Sequence, residues 1–127
     1  MKINCEVAIE IDLENGVYEF EHQGGTGKTY LCKLLTKLSQ EGYPFATVTY
    51  KEGAVVVTGD LETAKLIIFD RLDLYVQSYN MEQMEKLGSH AIVLLVLKSY
   101  GYSEDDGSWG RALTAYIEYD GESIKVH

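Results

Sequence analysis

The sequence predicts an α/β domain, a mainly parallel sheet with helices, flanked at each end of the chain by an antiparallel hairpin. Three observations carry this expectation. Apolar residues alternate with period two near both ends, where Asn15-Gly16 and Asp120-Gly121 supply turn signals. Between those ends the apolar period switches to that of a helix and back, twice. Two short runs, LIIF and AIVLLVL, are apolar throughout, as strands covered on both faces are.

Ile3, Cys5, Val7, Ile9 and Ile11 alternate with more polar residues, which predicts a half-buried strand. Asn15 and Gly16 both tolerate positive φ, so a hairpin is expected to lead into VYEFEH, with Tyr18, Phe20 and His22 on one face. A glycine loop follows. Leu31, Leu34, Leu35 and Leu38 then fall at i, i+3, i+4 and i+7, predicting a helix over 28–40 that Gly42 ends. FATVTY reads as a strand over 45–50, with a second small strand over 54–58. KLIIFD is a buried strand ending in an acid. Leu72, Tyr75, Val76 and Tyr79 have helical spacing. Asn80 with Gln83 forms a capping-box pattern that restarts the helix, with Met81, Met84 and Leu87 inward and Gly88 as its stop. AIVLLVL is a strand, YGYSEDDGSWG a polar loop, and the last sixteen residues form two strands around Asp120-Gly121.

The chain has 127 residues, 46% of them hydrophobic, with Pro44 as the one proline, a composition that fits one globular domain over 1–127. Its formal net charge is -9, and Arg71 and Arg111 are its two arginines. A duplex phosphate backbone is repelled by such a surface, which argues against direct nucleic-acid binding. No apolar run is long enough to span a bilayer, and the charged, alternating start does not read as a signal peptide, so no membrane association and a cytoplasmic location are expected. Cys5 and Cys32 are expected as buried thiols. His22, His90 and His127 lack metal spacing.

The chemistry concentrates in HQGGTGKTY, residues 22–30. It carries the second half of G-x-x-x-x-G-K-[ST], with His22 where the first glycine belongs. Gly24, Gly25, Thr26 and Gly27 would turn backbone N–H groups toward phosphate oxygens, and the helix beginning at Lys28 adds a partial positive charge. Lys28 would reach the terminal phosphates, the Thr29 hydroxyl would hold Mg²⁺, and Tyr30 closes the nucleotide-binding set. Asp70, at the tip of LIIFD, would supply the second metal contact. The competing reading is a glycine turn capping a helix, with Asp70 an ordinary strand-end residue.

In this order, IEIDLENGVYEFEHQGGTGKTYLCKLL resembles the opening of the ABC-type and AAA-like P-loop ATPase core. LIIFDRLDLYV looks like its Walker B segment, and AIVLLVLKSYG like the strand that ends in that family's switch histidine; the resemblance covers residues 7–101. It implies a small, truncated P-loop-type domain binding Mg²⁺ with ATP or GTP. Departures imply that hydrolysis is weak or absent. The family's catalytic Glu after the Walker B Asp is Arg71, expected to pair with Asp70 rather than to point at phosphate as an arginine finger in cis, and Asp73 is a weak substitute. The switch-histidine position reads Lys98 or Ser99. Glu19 and Glu21 stand in a strand that should be apolar, and the 14 residues over 51–64 replace the family's helical insertion with its Q-loop and signature.

The alternative is a non-enzymatic acidic protein-binding module, such as an anti-CRISPR-like inhibitor from a phage or mobile element, contacting a protein partner through an acidic surface rich in Tyr. Ten tyrosines, Trp109 and SEDDGSW support it. A small kinase is a third reading, resting on Asp70-Arg71 beyond the loop.

Overall fold

A computed structural model describes residues 1–21, 27–97 and 111–127. The fold is α/β with two mixed sheets. Strands β1 (Lys2–Asn4) and β2 (Ala8–Ile11) come first, then β3 (Gly16–Phe20), helix α1 (Lys28–Gln40), β4 (Phe45–Lys51), β5 (Ala54–Thr58) and β6 (Leu66–Phe69). Two single 3₁₀ turns, Leu72–Leu74 and Val76–Ser78, lead to helix α2 (Met81–Gly88) and β7 (Ile92–Leu95). The chain finishes with β8 (Leu113–Ala115), β9 (Ile117–Tyr119) and β10 (Ser123–Val126).

The larger sheet has the order β5-β4-β6-β7-β3-β8. Its pairs are parallel except β4 with β5. The smaller sheet, β1-β2-β10-β9, pairs β10 parallel to β2. Both faces of the larger sheet are covered at β6 and β7, which is why these two strands read as continuous apolar runs. Along β6, Leu66 and Ile68 face α1 and the small sheet, while Ile67 and Phe69 face α2 and the 3₁₀ segment. The helical stripe Leu31, Leu34, Leu35 and Leu38 is buried on the first of these cores. The second contains Met81, Met84, Leu72 and Tyr75.

Several expectations are met closely. Helix α1 spans the residues its leucine spacing indicates, and α2 carries a reciprocal capping box between Asn80 and Gln83. Gly88 lets α2 approach β3: a Cβ there would lie 3.0 Å from Val17 Cγ2 and 3.1 Å from the Gly16 carbonyl carbon. The hairpin at Asp120-Gly121 forms between β9 and β10, its turn held by Asp120 Oδ1, which accepts from the N–H groups of Glu122 and Ser123, but the last sixteen residues hold three strands and not two, since β8 splits off to pair with β3 in the larger sheet.

The N-terminal hairpin requires correction. Asn15-Gly16 does not join two paired strands, because β2 lies in the small sheet and β3 in the large one. A type I′ turn needs φ > 0 at both central residues. Gly16 has φ 151°, but among the described residues the non-glycine positions at positive φ are Glu52 and Arg71, not Asn15. The hairpin that does form is earlier. The single strand read over 3–11 reverses at 5–7, so that β1 pairs antiparallel to β2 with Ile3 opposite Ile9. The alternation survives the reversal because both residues face the same core. Likewise, the spacing Leu72, Tyr75, Val76, Tyr79 yields 3₁₀ turns in place of a helix. Cys5 is exposed, not buried; Cys32 is buried.

Candidate functional site

The loop enters from β3 and leaves into α1. His22, Gly24, Gly25 and Thr26 lie outside the described residues, as do Lys98, Ser99, Trp109 and the SEDDGSW segment. Gly27 is the N-cap of α1, with φ 99°, a conformation that favours glycine. A side chain there would also collide with the small sheet, since a Cβ would stand 3.1 Å from Tyr119 Cβ. Tyr30 packs its ring 5.4 Å from that of Tyr119, and its hydroxyl pKa is raised, foremost by burial and then by Tyr119.

Lys28 is buried, with 6% relative exposure. Its Nζ donates to the carbonyl of Glu21 at 2.5 Å and lies 5.9 Å from the centre of the Phe20 ring. The side chain thus ties together the two ends of the glycine loop.

Asp70 follows the last residue of β6. Its N–H donates to Val48 O at 2.8 Å, and its carbonyl accepts from the Tyr75 hydroxyl, also at 2.8 Å. The same hydroxyl donates to Val48 O at 3.1 Å. Tyr75 is 5% exposed and is therefore a buried peg joining the ends of β4 and β6. Burial, then the charge of Asp70, drives its pKa far above the ordinary phenol range. The Asp70 Oδ1 atom is buried from solvent.

Arg71 does not neutralise Asp70 as expected. It sits in the left-handed region with φ 53°, and this turn carries its guanidinium to Asp73, with bonds of 3.2 and 2.9 Å to the two carboxylate oxygens. That bidentate pair is the first cause of the raised Arg71 pKa, opposed by desolvation and supported by the charges of Asp73 and Asp70. Asp73 is thereby engaged as well, and it is not poised as a general base.

Thr29 and Asp70 line one cleft of about 420 Å³ between α1 and the ends of β4, β5 and β6. Cys32, Lys33, Thr36, Lys51 and Arg71 also line it. Among charged residues at the cleft, three are cationic and Asp70 is the acid, in a chain of net charge -9. Burial, reinforced by the Asp70 charge and partly offset by a bond with Thr36, pushes the Cys32 thiol up to about 12. This thiol is protonated at neutral pH and unreactive.

The donor set suits a hard divalent cation shared with a ligand. Among the described residues no group of three or more His, Cys, Asp or Glu could hold a metal by itself. Thr29 and Asp70 offer two oxygens, and Mg²⁺ commonly takes one or two such ligands and completes its shell with phosphate oxygens and water. His90 and His127 are placed elsewhere: the His90 ring nitrogen lies 3.3 Å from Ala64 O, and His127 stacks on Tyr116. Sequence reasoning missed Tyr75, Lys33 and Lys51. Only Lys33 had a signal, lying four residues after Thr29 on the same helical face.

No helix among the described residues is long and apolar enough to cross a membrane. Neither a family model, a curated protein nor a solved structure matches the chain.

Proposed function

We propose that this chain is a small P-loop-type protein that binds a nucleoside triphosphate, ATP or GTP, with Mg²⁺, and hydrolyses it slowly or not at all. The observation that carries the reading is that Thr29 and Asp70 line one cleft. They come from the start of α1 and the end of β6, and β7 separates β6 from the loop strand β3 in the sheet. Ligands of open α/β sheets bind outside the carboxyl ends of parallel strands, and Asp70 directly follows the end of β6. Gly27 and the N-terminus of α1 would face the phosphates, Lys28 would neutralise them, and Thr29 with Asp70 would hold the metal. Bound Mg²⁺ would supply charge neutralisation on the phosphate oxygens.

Slow turnover follows from the residue after Asp70. A carboxylate placed there could orient water, whereas Arg71 is a cation paired with Asp73. A missing acid–base group typically costs about two to four orders of magnitude in rate. The test is thermal melting with millimolar Mg²⁺-ATP and Mg²⁺-GTP. A ligand that binds the folded state raises the midpoint through linkage. Wild type should shift and Lys28→Met should not. Methionine keeps an apolar stem in this buried position, a safer choice than alanine because Lys28 packs inside the fold. Unchanged melting of the wild type would favour the acidic protein-binding module instead.

A further inference from the structure

The cleft is longer than a metal-bound phosphate requires. Thr29, Lys33, Thr36 and Gln40 all line it, at i, i+4, i+7 and i+11 along one face of α1. At the rise of an α-helix this stripe covers about 16 Å. A terminal phosphate on Mg²⁺ would occupy only the end marked by Thr29 and Asp70. The remainder is walled by Lys51, Tyr50, Val56 and Thr58 from the β4–β5 hairpin. Neither Lys33 nor Lys51 forms an ion pair among the described residues, while Arg71 is held by Asp73. Tyr50 is 38% exposed and stacks on Tyr75. The groove therefore offers two uncommitted cations, hydroxyl groups and an aromatic ring.

We propose that this groove seats a second substrate, a phosphate monoester of the nucleoside monophosphate type, which accepts the terminal phosphoryl group; the inference rests on the nucleotide reading above. Two independent features converge on it. Lys33 and Lys51 match a dianionic phosphate, which each can hold by charge-assisted hydrogen bonds. The position after Asp70 lacks a carboxylate, which handicaps attack by water but not by an oxygen that is already ionised. In the transfer, an acceptor phosphate oxygen forms a bond to the γ-phosphorus while the bond from that phosphorus to the β–γ bridging oxygen breaks. The bridging oxygen keeps the electron pair and leaves as part of the nucleoside diphosphate. The acceptor becomes a second diphosphate, and no proton need be removed from it. The chain thus carries the parts for transfer while lacking the part for hydrolysis.

The experiment uses the full chain with Mg²⁺-ATP and, in turn, AMP, GMP, CMP and UMP. Phosphorus NMR reads diphosphate formation, and calorimetry reads Mg²⁺-ATP binding separately. At least one monophosphate should be converted to its diphosphate. Lys51→Ala and Lys33→Ala should each raise the acceptor KM about tenfold, the loss of one charge-assisted contact, and leave the Mg²⁺-ATP Kd within about twofold. Both lysines are exposed, so the variants should fold. Binding of Mg²⁺-ATP with no diphosphate from any of the four would overturn the acceptor site, as would transfer indifferent to both lysines. Absence of Mg²⁺-ATP binding would sink the nucleotide reading itself.

Discussion

Tyr75→Phe removes one hydroxyl and leaves the ring. In the wild type that hydroxyl donates to Asp70 O at 2.8 Å and to Val48 O at 3.1 Å, in a residue only 5% exposed. Val48 O also accepts from Asp70 N–H, so it keeps a bond in the variant. The bond to Asp70 O is lost. A buried hydrogen bond with its desolvated partner is worth about 1–2 kcal/mol. For a domain between the 100- and 150-residue classes, each kcal/mol moves the midpoint by roughly 3–5 °C. Tyr75→Phe should therefore melt about 3–10 °C below the wild type. The ring contacts to Tyr50 and Tyr79 are retained, so the loss reports the hydroxyl alone. Because the bond positions Asp70, Mg²⁺-dependent nucleotide affinity should also fall, by about tenfold, whereas nucleotide binding in chelator should not change. Calorimetric melting, with titrations in Mg²⁺ and in EDTA, measures both effects. A midpoint within about 1 °C of the wild type would refute the claim that Tyr75 pins the ends of β4 and β6.

Other outcomes are expected from the same geometry. A thiol reagent at pH 8 should modify Cys5 promptly and leave Cys32 untouched in the native state; equal labelling of both would contradict the buried, protonated thiol. The folded-state pKa of Cys32 lies above its unfolded value, so its contribution is complete below the unfolded pKa near 9.0 and is lost as pH rises toward about 12, and denaturant midpoints should fall across that window. Gly88→Ala should destabilise by about 1–3 kcal/mol through overpacking against Val17 and Gly16, despite alanine's better helix propensity; a stabilised variant in urea unfolding would show that β3 can give way. Arg71→Glu should lower stability, because it breaks the bond to a nearly buried Asp73 and adds a third carboxylate beside Asp70; faster hydrolysis with undiminished stability would refute that reasoning.

Much of the fold was legible where a local rule and the tertiary environment agree. The leucine spacing fixed α1, the Asn80–Gln83 box fixed the start of α2, and the apolar runs fixed β6 and β7. Legibility failed where two environments share one pattern. Ile3 to Ile11 alternates perfectly, yet the chain folds back within it, because Ile3 and Ile9 pair across β1 and β2 and both face the core. Asn15-Gly16 is a sound turn signal that tertiary pairing overrides: β10 takes the place beside β2 that a hairpin partner would have held. At the candidate site, Thr29 and Asp70 were readable because loop and strand tip have fixed spacing to their elements. Lys51 was not, since its approach depends on the β4–β5 hairpin folding beside α1. The Arg71–Asp73 pair depends on a left-handed turn that arginine does not announce.

Isothermal titration of the purified chain with Mg²⁺-ATP and Mg²⁺-GTP decides whether Lys28 and Asp70 serve one Mg²⁺-nucleotide site. Saturable one-to-one binding of at least one of them is expected, abolished by Lys28→Met and weakened by Asp70→Asn only when Mg²⁺ is present. No heat of binding from either nucleotide with the folded wild type, or binding that survives Lys28→Met unchanged, would contradict it.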